Sequence, residues 1–151
     1  MRIMIIGGGA VGSYLAGLLL QQGHHVTIIE IRETAMATLR LTAPGAQCLL
    51  GSGTDPELLE AAGVHLADTV VAVTGTDETN LVITSLARFA FDAPRVVARV
   101  NNPHNSWMFT PTMGVDFALN QADLLAHLIA ETIPSPPAQR LSEPSTGGDG
   151  G

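Results

Sequence analysis

The residues with the clearest chemical meaning stand near the start of the chain. Gly7-Gly8-Gly9-Ala10-Val11-Gly12 fits the pattern G-x-G-x-x-G, follows the apolar run Arg2–Ile6 and opens a helical stretch, Ala10–Gln22. In that setting Gly7 permits a tight turn, Gly9 lets backbone amides approach a pyrophosphate, and Gly12 lets the helix close on the strand. The helix start, at Ala10 and Val11, offers free N–H groups and a partial positive charge to the same phosphates. Glu30 lies 18 residues past Gly12, at the end of the second apolar run. A carboxylate there accepts hydrogen bonds from both ribose hydroxyls of an adenosine and repels a 2′-phosphate, which favours NAD(H) or another adenine nucleotide and disfavours NADP. Arg32, just past Ile31, is the counter-signal, because an arginine near this place serves a 2′-phosphate in other dinucleotide folds. Taken singly, the glycines read as a plain strand–helix turn and Glu30 as a solvated acid. Their order and spacing together favour a nucleotide.

Few other residues compete for a chemical role. Ser13 follows the turn, yet no G-x-S-x-G elbow is present and no base is placed to activate it. The single cysteine, Cys48, lies in the apolar run Cys48-Leu49-Leu50 and reads as a small buried residue. The five histidines do not follow metal-ligand spacing, and Trp107, Met108 and Phe109 read as packing residues, with an exposed Trp107 at a subunit contact as the alternative.

These residues need a frame, and the frame is legible as an alternation. Apolar runs at Arg2–Ile6, His25–Glu30, Ala46–Leu50, Thr69–Thr74, Arg95–Val100 and Val115–Leu119 are separated by helical stretches at Ala10–Gln22, Glu33–Thr42, Pro56–Ala62, Asp77–Phe91 and Pro103–Met113. Continuous Val/Ile/Leu runs mark strands covered on both faces, and six of them with helical crossovers predict an α/β fold: a Rossmann-like, doubly wound, parallel six-stranded sheet in a single domain. Asp55-Pro56-Glu57 predicts a capped helix start, while Gly23 and Gly63 predict left-handed helix ends. A last helix, Gln121–Ile133, carries Leu124, Leu125, Leu128, Ile129 and Ile133, more apolar surface than one sheet can cover. After it, residues 134–151 hold four Pro and four Gly and are expected to form a disordered tail.

Composition narrows the partners. The 151 residues are 46% hydrophobic, enough for one core, and carry a formal net charge of −7 with seven Arg and no Lys. Without a basic stripe, neither nucleic acid nor direct lipid binding has an electrostatic source. The opening run Met1–Ile6 is too short for a secretion signal, and no run reaches the roughly 20 apolar residues of a membrane span.

Three further blocks give the chain a resemblance. They are Gly51-Ser52-Gly53-Thr54-Asp55-Pro56-Glu57-Leu58-Leu59-Glu60-Ala61-Ala62-Gly63-Val64, Ala72-Val73-Thr74-Gly75-Thr76-Asp77-Glu78-Thr79-Asn80-Leu81, and Ala98-Arg99-Val100-Asn101-Asn102-Pro103. With the glycine motif, in this order across residues 1–133, they resemble the nucleotide-binding domain of Trk-type potassium-uptake regulators, the RCK or TrkA-N (KTN) domain. The resemblance implies a cytoplasmic regulatory subunit that binds NAD(H) or ATP/ADP and assembles as a homo-oligomer on the inner face of a membrane-embedded potassium channel or transporter. It also implies that loops after the third, fourth and fifth strands complete the site, which falls on Gly51, Ser52, Gly53 and Thr54, on Val73, Thr74 and Gly75, and on Arg99. There are departures. Gly51-Ser52-Gly53 replaces a frequent Gly-Asp-Ala, Ala10 and Val11 stand where some ATP-sensing members carry an arginine, and the usual second regulatory domain does not follow.

The expectation is a non-catalytic nucleotide sensor that is at least a dimer, either a stand-alone module or a truncated copy. The alternative is the NAD-binding domain of a dehydrogenase, against which the length counts, since no chain remains for a substrate domain. A plain oligomerisation module without ligand is the third reading.

Overall fold

A computed structural model describes residues 1–138. Its six strands are β1 (Arg2–Ile6), β2 (His25–Glu30), β3 (Gln47–Leu50), β4 (Thr69–Ala72), β5 (Val96–Val100) and β6 (Phe117–Asn120). They form one sheet in the order β3-β2-β1-β4-β5-β6, and every neighbouring pair is parallel. The order reverses direction between β1 and β4, which opens a crevice at the carboxyl ends of those two strands. The helices are α1 (Ala10–Gln21), α2 (Glu33–Thr42), α3 (Pro56–Ala61), α4 (Asp77–Ser85) and α5 (Gln121–Glu131).

Both sides of the central strands are covered, as their continuous apolar sequences require. On one face Ile3, Ile5, Val26 and Ile28 pack under α1 and α2 through Ala16, Met36 and Leu39. On the other, Met4, Ile6, Val70 and Val96 pack under Leu59 of α3 and Leu81 and Ile83 of α4. Asp55 caps α3 by accepting the Glu57 N–H at 3.0 Å, and Gly23 and Gly63 turn the chain at φ +85° and +83°.

Several expected elements are shorter or different. The stretch Pro103–Met113 forms two 3₁₀ turns, Pro103–Met108 and Pro111–Met113, in place of one helix. Pro111 lacks an N–H and disfavours the helical conformation of the residue before it, which breaks the run. The fourth helix loosens into a π-helical turn over Leu86–Ala90 and stops before Asp92, at φ +53°. Cys48 is half-buried, because β3 is an edge strand, and burial pushes its thiol pKa up despite nearby Arg40. Trp107 is exposed and Phe109 is buried.

The α1 side of β5 and β6 has no covering helix. Asn120 ends β6 and at once caps α5, accepting the Asp123 N–H at 3.0 Å, so no loop allows the helix to turn back over its own sheet. None of the residues of α5 is buried. An apolar cleft of about 860 Å³ is left between Val11, Tyr14 and Leu18 of α1, Val97 and Leu119 of the sheet, and Leu124, Leu125 and Leu128 of α5. Residues 134–138 are exposed and carry no regular structure, and the rest of the expected tail, 139–151, lies outside the described residues. Among the described residues no helix is long and apolar enough to cross a membrane.

Candidate nucleotide site

The carboxyl edge of the sheet brings together the glycine turn after β1, Glu30 at the end of β2, and the loops after β3, β4 and β5. The glycines of the turn have separable reasons for being glycine. Gly7 has φ +113° and would place a Cβ 2.7 Å from the Val73 carbonyl oxygen, and a Cβ on Gly12 would collide with the Gly7 carbonyl. The fold itself demands both. Gly9 is different: beyond its chain neighbours, only Arg32 Nη2 lies within 4 Å of the place of a Cβ, at 3.8 Å. Its missing side chain leaves open space above the first turn of α1.

That turn is also electrically unfinished. Among the α-helices of the described residues, α1 alone has neither a side-chain cap nor an acid in its first turn. Its first N–H groups and positive dipole end therefore face the space above Gly9. The Ser13 hydroxyl donates to the Gly9 carbonyl at 2.7 Å, the back-bond of a serine in the first turns of a helix.

Glu30 is 4% exposed. Its Oε2 accepts the Gly8 N–H at 3.0 Å and its Oε1 the Arg32 Nε–H at 2.5 Å. Burial pushes its pKa up, but the Gly8 N–H and the Arg32 guanidinium outweigh that and hold the carboxyl below the usual range. The expected acid is thus anchored to the glycine turn. Ile31 beside it projects into solvent.

The loop after β3 reaches the same edge, for Gly51 N–H donates to the Glu30 carbonyl at 2.9 Å. Ser52 and Thr54 pair their hydroxyls at 2.7 Å, and Gly53 packs so closely on Ile6 that a Cβ would clash with it. Glycine at 53 is therefore a packing requirement.

The loops after β4 and β5 are tied by a network that sequence reading did not resolve. Asn80, fully buried, accepts the Thr74 N–H at 3.0 Å and the Thr74 hydroxyl at 2.6 Å, and donates to the carbonyls of Thr74 and Arg99 at 3.2 and 3.0 Å. Arg99 Nη2 donates to the Thr74 carbonyl at 2.9 Å, while its Nε is buried with no partner. Asp77 accepts the N–H groups of Asn101 and Asn102 at 2.6 and 2.9 Å and the Asn105 amide at 2.9 Å. Burial raises its pKa, and these donors more than reverse the effect. Asp77, Asn80, Asn101 and Asn105, which hold the wall of the candidate site, are missing from the sequence reading. The available signal was an acid and an amide three residues apart at a helix start, facing two asparagines just past a strand. Gly75 sits on the exposed tip of this loop with open space where its side chain would be.

Among the described residues, no three His, Cys, Asp or Glu side chains gather as a metal set. The arrangement as a whole is a doubly wound domain with an open strand–helix turn, a buried acid beside it and an arginine Nε awaiting a partner. Comparison with known proteins makes the assignment more specific. The chain belongs to the TrkA-N domain family, whose pattern it matches over residues 3–121. It is 39% identical over 147 residues, 97% of its length, to the Trk system potassium uptake protein TrkA of Mycobacterium tuberculosis, and it spans 66% of that protein. It thus covers just under two thirds of the length of this relative. Among solved structures, the TrkA-N domain of the inner membrane protein ybaL from Escherichia coli superposes with a TM-score of 0.78 at 20% identity, over 88% of this chain and 96% of that one. The GsuK channel bound to NAD gives 0.75 at 19% identity, over 85% of this chain and 23% of that one. The same channel is also described bound to ADP, and the Kef C-terminal domain of Shewanella denitrificans bound to AMP. These last likenesses establish the fold.

Proposed function

We propose that this domain is the nucleotide-sensing part of a regulatory subunit that controls a membrane potassium channel or transporter. The observation that carries the reading is the open face of Gly9 above the uncapped start of α1, where the place of a side chain meets only the tip of Arg32. In this reading an adenine nucleotide, NAD(H) or ATP/ADP, lays its phosphates over Gly7, Gly9, Ala10, Val11 and Gly12. Its ribose hydroxyls bond to Glu30, and its adenine lies near Ile31 and the Gly51–Thr54 loop. Val73, Thr74 and Gly75 line the far side, and Arg99 stands behind them with its Nη2 on the Thr74 carbonyl. NADP is disfavoured because a 2′-phosphate meets the Glu30 carboxylate. The domain is a sensor and not a catalyst, for its nearest reactive groups, Ser13 and Asp77, are committed to partners within the chain. It works in the cytoplasm against the inner face of the membrane, held there by its channel partner.

The same reading makes it a homo-dimer or higher homo-oligomer. Leu124, Leu125, Leu128 and Ile129 are each about half exposed, and the α1 side of β5 and β6 lacks a cover, so α5 of a second copy can fill the cleft of the first while receiving the same service. The test is calorimetric titration of the protein and of Glu30→Ala with NAD, NADH, NADPH, ATP and ADP, with light scattering alongside. The expected result is binding of NAD(H) or ATP/ADP that weakens about ten- to a hundredfold in Glu30→Ala, with NADPH weaker in the parent protein. A dimer or larger is expected, reduced by Leu128→Glu with Ile129→Glu. Unchanged affinities in Glu30→Ala would remove the ribose site, and a strict monomer with and without nucleotide would remove the assembly.

A further inference from the structure

One arm of the site holds more donors than its partners use. Arg32 gives its Nε–H to Glu30 at 2.5 Å, and Glu30 is fixed from the other side by the Gly8 N–H at 3.0 Å. The acid is buried, whereas the Arg32 side chain is 59% exposed. A guanidinium carries five N–H donors, and among the described residues only Nε of Arg32 has a partner. Its Nη2 lies 3.8 Å from the space that a Gly9 side chain would fill.

Exposed ion pairs generally leave both side chains loose. Here one partner is immobile, so the planar guanidinium is held by its Nε edge while its distal edge points over the glycine turn. The start of α1 faces the same space. A 2′-phosphate would press on the Glu30 carboxylate itself, whereas a phosphate on the 5′ side of the ribose would lie over Gly9, within the joint field of the helix start and the guanidinium. The two donors converge on the space above Gly9.

We infer that Arg32 is a phosphate-binding residue of this site: with its Nε kept on Glu30, its Nη2 edge takes an oxygen of the 5′-side phosphate of an adenine nucleotide seated over Gly9. This rests on the nucleotide reading above and specifies how its ribose and phosphate subsites are joined. Glu30 then has two tasks, receiving the ribose and aiming the arginine. The reverse possibility, that Arg32 is only a counter-ion that a ribose must displace, makes the opposite forecast.

The experiment titrates the protein and Arg32→Ala with adenosine and with AMP, followed by amide chemical shifts in NMR spectra that also report whether the variant is folded. The expected result is an AMP affinity lowered about tenfold in Arg32→Ala, with adenosine changed by less than about twofold, so that the preference for AMP over adenosine shrinks about tenfold. If both ligands weaken together, Arg32 only positions Glu30 and the inference is overturned. Tighter AMP binding in Arg32→Ala would show a displaced counter-ion and overturn it as well. A parent protein that binds neither AMP nor NAD defeats the nucleotide reading itself, and the inference goes with it.

Discussion

Two neighbouring strand ends, those of β1 and β4, lead into helices at the same edge of the sheet, and the first turns of the two helices differ in what their side chains hold. The start of α4 is packed with its own polar partners: Asp77 collects the N–H groups of the β5 loop, and Asn80 holds Thr74 from both sides. The start of α1 has no cap, no acid and an open glycine. Buried polar groups cost free energy unless they are paired. Neither start has a side-chain cap, but the first turn of α4 spends an acid and an amide on tying the β4 and β5 loops together, whereas the first turn of α1 ties down nothing: one side of the edge is a fixed wall, and the other is an opening. Removing a group from the wall should therefore cost stability, and filling the opening should cost binding.

The largest effect is expected at the wall. Asn80→Ala removes the partners of the Thr74 N–H and of the Arg99 carbonyl and leaves a small cavity. At about 1–3 kcal/mol for each orphaned buried group, the protein should lose about 3 kcal/mol of unfolding free energy in urea titration. A loss below about 1 kcal/mol would mean that the loop is held by other contacts and that the contrast between the two helix starts is superficial.

Next comes the opening. An alanine at position 9 meets no backbone and no rigid side chain, only the tip of Arg32. Gly9→Ala should therefore leave the unfolding free energy within about 1 kcal/mol of the parent, since surface changes away from strained positions are mild. Its methyl group would occupy the place proposed for the phosphate, and nucleotide affinity should fall about a hundredfold, which is about 2.7 kcal/mol. Gly12→Ala supplies the control, because its Cβ would strike the Gly7 carbonyl and damage fold and binding together. A Gly9→Ala protein that binds nucleotide normally would show that the opening is not where phosphates lie.

The two regions also differ in how far the sequence revealed them. The glycine turn and Glu30 are legible because local geometry dictates them: a positive φ at Gly7 and a close approach at Gly12 are written in residue type, and the acid falls at a strand end. The strand pattern is legible for the same reason, since buried parallel strands must be apolar throughout. The Asp77 and Asn80 network is not, because its partners Asn101, Asn102 and Arg99 are separated from them by 19 to 25 residues and meet only when β5 docks beside β4. The failure at Pro103–Met113 has another cause. Apolar spacing there suggests a helix, yet Pro111 divides the stretch into two turns. Helix α5 was legible as apolar beyond need, while the bare half of the sheet facing it required the strand order to be known.

The smallest effect is a pH dependence that separates the wall from ordinary packing. Asp77 has a folded-state pKa below its ordinary value, because its four amide donors favour the carboxylate more than burial opposes it. The sign follows from linkage: a carboxyl with a depressed folded pKa adds stability that is complete above the unfolded value, near 4, and is lost as the pH falls through the folded value. Asp77→Asn should cost about 2 kcal/mol at pH 7, since an amide cannot accept from donors on both sides and the lost bonds are to a charged group. On acidification from pH 7 to pH 3 the unfolded parent takes up the Asp77 proton before the folded parent does, so the parent loses part of this stability while the variant has none to lose, and the gap between their unfolding free energies should narrow by less than its full size. Urea titrations at several pH values measure it directly. A gap that stays constant across this range would mean that Asp77 is held by shape and not by charge. The β5 loop would then be held on α4 by packing, and the contrast with α1 would lose its electrostatic basis.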